Sequence, residues 1–463
     1  METTLVPDGD ETSVGPSPLP SSQTNTARED GMTPLNIACA KGNFDAAKLL
    51  LGSGADLDSP DQSGWTPLNH AAFWGHVDVV RLLLEQGANT KLRNKNGGTP
   101  LNSAAKKGHA SIVRLLCQYG SEVDDQNNSG FSPLHSAANE GHSEAVVALL
   151  ECKAQIDLPN SNGWTALNSA SSKGELKTVQ ALLNCHAQLN RQNQGGFTPL
   201  NTAADKGHTD VVMYLMSSGP DVNMRNNSGW TPLNSAASKG YTDTVKCLLS
   251  HGAKVDLPNN DGWTPLLSAA HKGHAEVVAV LLDHQADTSV TSVHGQTALD
   301  RASREGHIDA VKTLIDHDQV NKRLDLKRKN KSGFTPLNSA AQSGSIETVK
   351  LLYSLDGSVL ETPNNNGYTP LNSAVDMNLP VVVKVLLDQG ADMATKNKKK
   401  ETPLVVATRR GFTEVVKVLL DQERLNALES GKRLKAETTG DQPARGSDSS
   451  RTSSFRRFFK KTS

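Results

Sequence analysis

The tripeptide Thr-Pro-Leu, or a one-residue variant of it, returns along the chain at Thr33, Thr66, Thr99, Ser132, Thr165, Thr198, Thr231, Thr264 and Thr297, then at Thr335, Thr369 and Thr402. The first nine are 33 residues apart without slippage. The next two intervals are 38 and 34, which places a five-residue insertion between Thr297 and Thr335, and the last returns to 33. A unit this short cannot hold a core of its own. Twelve copies in phase must therefore bury their apolar surface against each other and grow as a stack, so chain length sets no domain count.

The second unit, GWTPLNHAAFWGHVDVVRLLLEQGA from Gly64 to Ala88, shows how one copy is built. Thr66 has the side chain of an N-cap, and Pro67 suits the first helical position, where its missing N–H costs nothing. A short helix is predicted from there, with Ala71 and Ala72 allowing close packing and Gly75 ending it. Val79, Leu82 and Leu83 then fall on one stripe of a second helix, which Gly87 caps in a left-handed conformation. Polar turn residues such as Asn94 to Gly97 lead back to the next Thr-Pro. Helices of this length are marginal alone, because nucleation is costly and one face stays bare; stacked neighbours supply the missing partner.

The pattern resembles the ankyrin repeat, a turn and helix-pair unit with a Thr-Pro-Leu-His-x-Ala signature, over roughly Gly31 to Leu428. The resemblance implies an all-α solenoid of about twelve antiparallel helix pairs with projecting β-hairpin loops, curved so that its concave face contacts proteins. On this reading residues 31–430 are the solenoid, between a disordered acidic segment at 1–30 and a disordered basic tail at 431–463.

Departures from the signature carry expectations of their own. Its His survives only as His135, while Asn stands at 36, 69, 102, 168, 201, 234, 338 and 372. Asn keeps a donor and an acceptor without titrating, so stability is expected to change little between about pH 5.5 and 7.5. Lys153, His186 and Gln285 stand where Gly is expected after the second helix, at a cost of up to about 1 kcal/mol each if a left-handed backbone is kept. In the eleventh unit Asn378 replaces the inter-helix Gly and Pro380 follows near the start of the second helix, both compatible with the unit. The first and last units differ most, through Ile37 and Cys39 in one and Val405, Val406 and the polar stretch Asp421 to Glu429 in the other, as end caps must.

No P-loop, GxGxxG after a strand, HExxH, GxSxG, kinase signature set or paired Cys/His zinc spacing occurs. The expectation is a non-enzymatic chain with no cofactor, metal or small-molecule substrate, and nucleic acid is not an expected partner. Five widely spaced cysteines point to a reducing compartment. With no apolar run of signal-peptide length in residues 1–30, and none of the roughly 18 residues a membrane span needs, the cytoplasm is the expected location, with nucleus or membrane surface as alternatives. Charge is split: residues 1–319 hold 23 Lys+Arg against 34 Asp+Glu, net −11, and residues 320–463 hold 25 against 15, net +10. That asymmetry bears on partner choice rather than fold.

Three ladders recur once per unit. A Gly-His step at His76, His109, His142, His208, His274 and His307 reads as a hydrogen-bonding turn residue, since side chains one layer apart are too distant to share a metal ion. An aromatic series precedes the Thr-Pro: Trp65, Phe131, Trp164, Phe197, Trp230, Trp263, Phe334 and Tyr368. In the resembled fold it lies on the hairpin side of the concave groove, where it either anchors partner proteins or packs on the adjacent hairpin. A lysine series ends the first helix at Lys41, Lys107, Lys173, Lys206, Lys239 and Lys272, interrupted by Trp74 and Glu140. It either complements the helix dipole or, beside the aromatic row, receives an extended or acidic protein segment.

Basic runs occur in the inserted hairpin (Lys322, Arg323, Lys327, Arg328, Lys329, Lys331) and before the last repeat (Lys396, Lys398, Lys399, Lys400). The chain ends in RTSSFRRFFKKTS, where Arg451, Arg456, Arg457, Lys460 and Lys461 interleave with Phe455, Phe458 and Phe459; such a segment suits an anionic membrane or an acidic partner. The leading expectation is a protein-binding scaffold or adaptor. A substrate-recruiting subunit of an enzyme complex and a peripheral membrane adaptor docking through this tail are the alternatives.

Overall fold

The computed structural model describes residues 25–321 and 324–438, with side chains at 25–317 and 324–428. Each of the twelve Thr-Pro starts opens a helix pair, for example Pro67–Trp74 with Val77–Glu85 and Pro199–Lys206 with Thr209–Ser217. The threonine hydroxyl accepts from the backbone N–H three residues on, and Pro, where present, occupies the first turn. Gly75, Gly108 and Gly207 end the first helices in the left-handed region, at φ +86°, +79° and +74°. Leu68, Ala71, Ala72, Val80 and Leu83 of the second repeat are fully buried, and the same columns recur through the array.

The chain divides into two compact units, one reaching Ala302 and including Asp309–Leu324, the other comprising Ser303–Ile308 and Asp325 onward. Within the first, the first helices of successive repeats approach one another more closely than the second helices do. Paired alanines such as Ala104/Ala105 and Ala203/Ala204, all fully buried, permit that approach. The loop and first-helix face is therefore the inner side of that unit.

Asn after the Thr-Pro-Leu step joins the layers. Asn201 is fully buried; its carbonyl accepts from the Thr198 N–H (3.1 Å) and hydroxyl (2.8 Å), while its amide donates to the Met224 carbonyl of the next repeat (3.3 Å). Asn36, Asn234 and Asn338 likewise donate to carbonyls one layer on. The last repeat has no described repeat beyond it, and Val405 takes this place, 49% exposed.

The left-handed positions read from the sequence are left-handed: φ is 68° at Lys153, 67° at His186, 65° at Gln285 and 57° at Asn378, and Pro380 occupies the first turn of its helix. Lys400, φ 63°, joins them unanticipated, standing where the other loops have Gly.

Two expectations need correction. Among the described residues there is no strand, so the loops are not β-hairpins: each is a tight turn with two backbone hydrogen bonds, as in Asn127 N–H to Phe131 O (3.0 Å) and Gly130 N–H to Asn127 O (2.8 Å), and neighbouring loops share one more, as in Asn128 N–H to Asn96 O (3.0 Å). The five inserted residues lengthen a helix rather than a hairpin, because Ile308–Asn321 has 14 residues where its counterparts have nine. Helix Thr413–Thr438 includes residue 430, and Asn25 accepts from the Asp56 N–H of the first repeat at 2.8 Å.

Candidate protein-interaction face

The aromatic series is positioned by a side-chain-closed turn. Asn127 donates its N–H to the Phe131 carbonyl, and its side-chain oxygen accepts from the Phe131 N–H, both at 3.0 Å, while Gly130 turns the chain at φ +75°. Asp61, Asn160, Asn193, Asn226 and Asn259 repeat the turn before Trp65, Trp164, Phe197, Trp230 and Trp263, and in the second unit Asn330 and Asn364 do so before Phe334 and Tyr368. Most of these Asx residues are buried; Asn259 is 4% exposed. Both backbone polar groups of each aromatic residue are thereby fixed, and the ring's direction with them.

All eight aromatic residues are half-buried. Trp65 has two ring neighbours, His70 at 5.3 Å and Phe73 edge-on at 5.0 Å between centroids, and the Lys107 ammonium lies 4.6 Å over Phe73. Phe131 packs on His135, and Trp263 on His271. Packing within the layer is thus seen at Trp65, Phe131 and Trp263, and all eight residues keep part of their surface accessible.

The six lysines are all exposed, each in the last turn of its first helix. Lys206 lies 3.3 Å from Asp205. Trp74, which interrupts the row, is 58% exposed. The two ladders meet in one surface hollow, lined by Trp230 and Trp263 from the loops and by His271 and Lys272 from the first helix of the eighth repeat.

The Gly-His step hydrogen-bonds as a turn residue was expected to, but its partner lies in the preceding layer. The Nε2 atoms of His76, His109, His142, His208 and His274 lie 3.0–3.2 Å from carbonyl oxygens 36 residues earlier, stitching each inter-helix turn to the layer before it. His135 does the work of the Asn column, with Nδ1 2.9 Å from the Ser132 hydroxyl and Nε2 2.8 Å from the Trp164 carbonyl. Burial holds His135 below the ordinary histidine value of 6.5 against the bond to Trp164 and the charge of Asp124, and burial also lowers His70 against Asp61. The unfolded chain then binds protons that the folded chain refuses, so this contribution is intact above about pH 6.5 and is lost as pH falls toward the folded values. The neutral Asn column adds no such term. His135→Asn is expected to flatten the stability slope between about pH 6.5 and 5 in urea titrations; an unchanged slope would show that His135 does not cause it.

Sequence reading found one such turn, Asn94 to Gly97, but missed the column of closing Asx residues and the groups that cover the rings. Phe73 and His271 stand eight residues after Trp65 and Trp263, a spacing visible only when two columns are read together. Arg301, whose guanidinium lies 4.7 Å over Trp263, had no periodic signal. In the second unit, Lys327 lies 3.7 Å from Asp356, while Lys329, Lys331, Lys396, Lys398, Lys399 and Lys400 are exposed. The expectations for Lys322, Arg323 and the tail residues Arg451, Phe455, Arg456, Arg457, Phe458, Phe459, Lys460 and Lys461 fall outside the described residues. Among the described residues no helix is long and apolar enough to cross a membrane.

The family described as ankyrin repeats (3 copies) matches residues 17–94, 86–160, 137–226, 167–259, 253–325 and 319–397. The solved structures similar to the chain include the human ASB11 ankyrin repeat domain, 30% identical, with a TM-score of 0.45, covering 48% of this chain and 99% of that one. No curated protein matches the chain.

Proposed function

Because the chain belongs to the ankyrin-repeat family, whose members are in general protein-interaction modules, we propose that it is a non-enzymatic adaptor that binds partner proteins on the loop and first-helix face of its first unit. The observation that carries this reading is the pairing of half-buried rings with exposed lysines on that face, joined at the hollow of Trp230, Trp263 and Lys272. Rings held by buried turns are rigid anchors that lose little entropy on binding, the usual composition of interface hot spots. Exposed lysines add long-range attraction for acidic segments and raise the association rate more than the affinity. The partner is an extended, acidic segment of another protein. The test removes the rings of Trp164, Phe197, Trp230 and Trp263 together and asks which captured proteins are lost.

A further inference from the structure

Along the first unit, a ring of the aromatic series can be covered by the residue eight positions later, on the last turn of the first helix. Trp65 has Phe73 there and Trp263 has His271, with ring centroids 5.0 and 5.1 Å apart. Trp230 has Ser238, which is too small to reach across an indole. At that repeat the surface opens into a hollow of about 370 Å³, lined by Trp230, Ser238, Asp261, Trp263, His271 and Lys272 among others.

We propose that this hollow is the anchor subsite for one apolar side chain of an extended acidic peptide, seated between Trp230 and Trp263. Its volume falls at the low end of ligand pockets, roughly 300–1,000 Å³, and is right for a single large side chain with room at the mouth for backbone. The walls include two half-buried tryptophans, Trp230 and Trp263. The far wall is stiffened because Arg301 stacks 4.7 Å over Trp263 and places its guanidinium 3.1 Å from Nδ1 of His271. Such a wall is preformed, so the incoming side chain displaces water without having to order the site first.

Charge sets the peptide's character. Lys239 and Lys272 are exposed in the last turns of the two adjoining first helices, and neither forms an ion pair among the described residues. Asp261, on the loop side, is the one carboxylate in the lining. Carboxylates flanking the anchor are therefore drawn to the helix side and repelled from the loop side, which fixes the peptide's placement as well as its sign.

This inference rests on the protein-binding reading of the face, and the experiment separates the two. A phage library of random dodecapeptides is selected on the full chain, and enriched peptides are titrated by tryptophan fluorescence against wild type, Ser238→Phe, Trp230→Ala and Lys239→Glu/Lys272→Glu, with Trp164→Ala and Phe197→Ala as controls for the rest of the face. Ser238→Phe reproduces the Phe73 arrangement of the second repeat, so the fold has precedent for it; Trp230→Ala opens the hollow instead of filling it and serves as the independent check. The expected result is net-negative peptides sharing one apolar position, with affinity reduced at least about tenfold by each of the three variants. Acidic peptides that ignore Ser238→Phe and Trp230→Ala but are lost with Trp164→Ala or Phe197→Ala would overturn the subsite and leave the face. Enriched peptides that are not acidic would also overturn it. Enrichment of none, or of peptides indifferent to every one of these changes, would overturn both.

Discussion

Replacing Asn201 with alanine is expected to destabilise the first unit by about 2–4 kcal/mol, whereas Asn201→His should cost less than about 1 kcal/mol at neutral pH. The alanine removes no apolar contact of consequence. It leaves the Thr198 N–H and the Met224 carbonyl without partners at a residue that is fully buried, and each such group costs about 1–3 kcal/mol. Histidine keeps most of the arrangement, as His135 does with a ring nitrogen on the preceding hydroxyl and another on the next layer's carbonyl. It also imports acid sensitivity, since a buried imidazole resists protonation. Because long repeat arrays need not unfold in one step, the readout is amide hydrogen exchange in the sixth and seventh repeats together with the urea profile. Equal protection in wild type and Asn201→Ala would show that the column does not hold layers together.

Gly108→Ala should cost about 3 kcal/mol or more, and Gly120→Ala, only twelve residues away in the same repeat, about 1 kcal/mol. Both glycines are left-handed, at φ +79° and +78°, so backbone strain is shared. The difference lies in the space. A Cβ on Gly108 would meet Cγ and Nδ1 of His142 at 2.6 Å, whereas one on Gly120 meets nothing within 4 Å. Displacing His142 also breaks its contact with the Lys106 carbonyl at 3.1 Å, loosening the third repeat from the fourth. The array has made this comparison itself: Lys153, His186 and Gln285 occupy the open type of position, while the inter-helix type departs from Gly in one repeat, at Asn378, which is also left-handed. Similar losses of thermal stability for the two variants would remove the histidine contact from the account.

The repeat was legible because its punctuation is chemical. Thr66, Pro67, Gly75 and Gly87 each have a backbone reason to stand where they do, and twelve copies leave no room for coincidence. What stayed hidden depends on neighbours one period away. The Gly-His step looked like a local turn, yet the partner of His142 is a carbonyl 36 residues earlier. The loops were expected to be hairpins because the resembled family has them; here Asn side chains supply the second hydrogen bond that a strand pair would supply. The insertion was assigned to the loop, but Ile308–Asn321 contains no Gly and continues its helix. At the candidate face the columns of aromatics and lysines were legible, since each is a fixed position in the period. Which rings stay open was not, because that depends on whether Phe73, Ser238 or His271 stands opposite.

The central claim, that this chain works by holding proteins on its ring-and-lysine face, is tested most directly by quantitative affinity capture. Wild type is compared with the Trp164→Ala, Phe197→Ala, Trp230→Ala, Trp263→Ala combination, each at matched helical circular dichroism. The half-buried state of these rings predicts that at least one reproducible partner is lost while the fold persists. An identical set of captured proteins, with helicity intact in both, would contradict it and leave the rings a purely structural part of the stack.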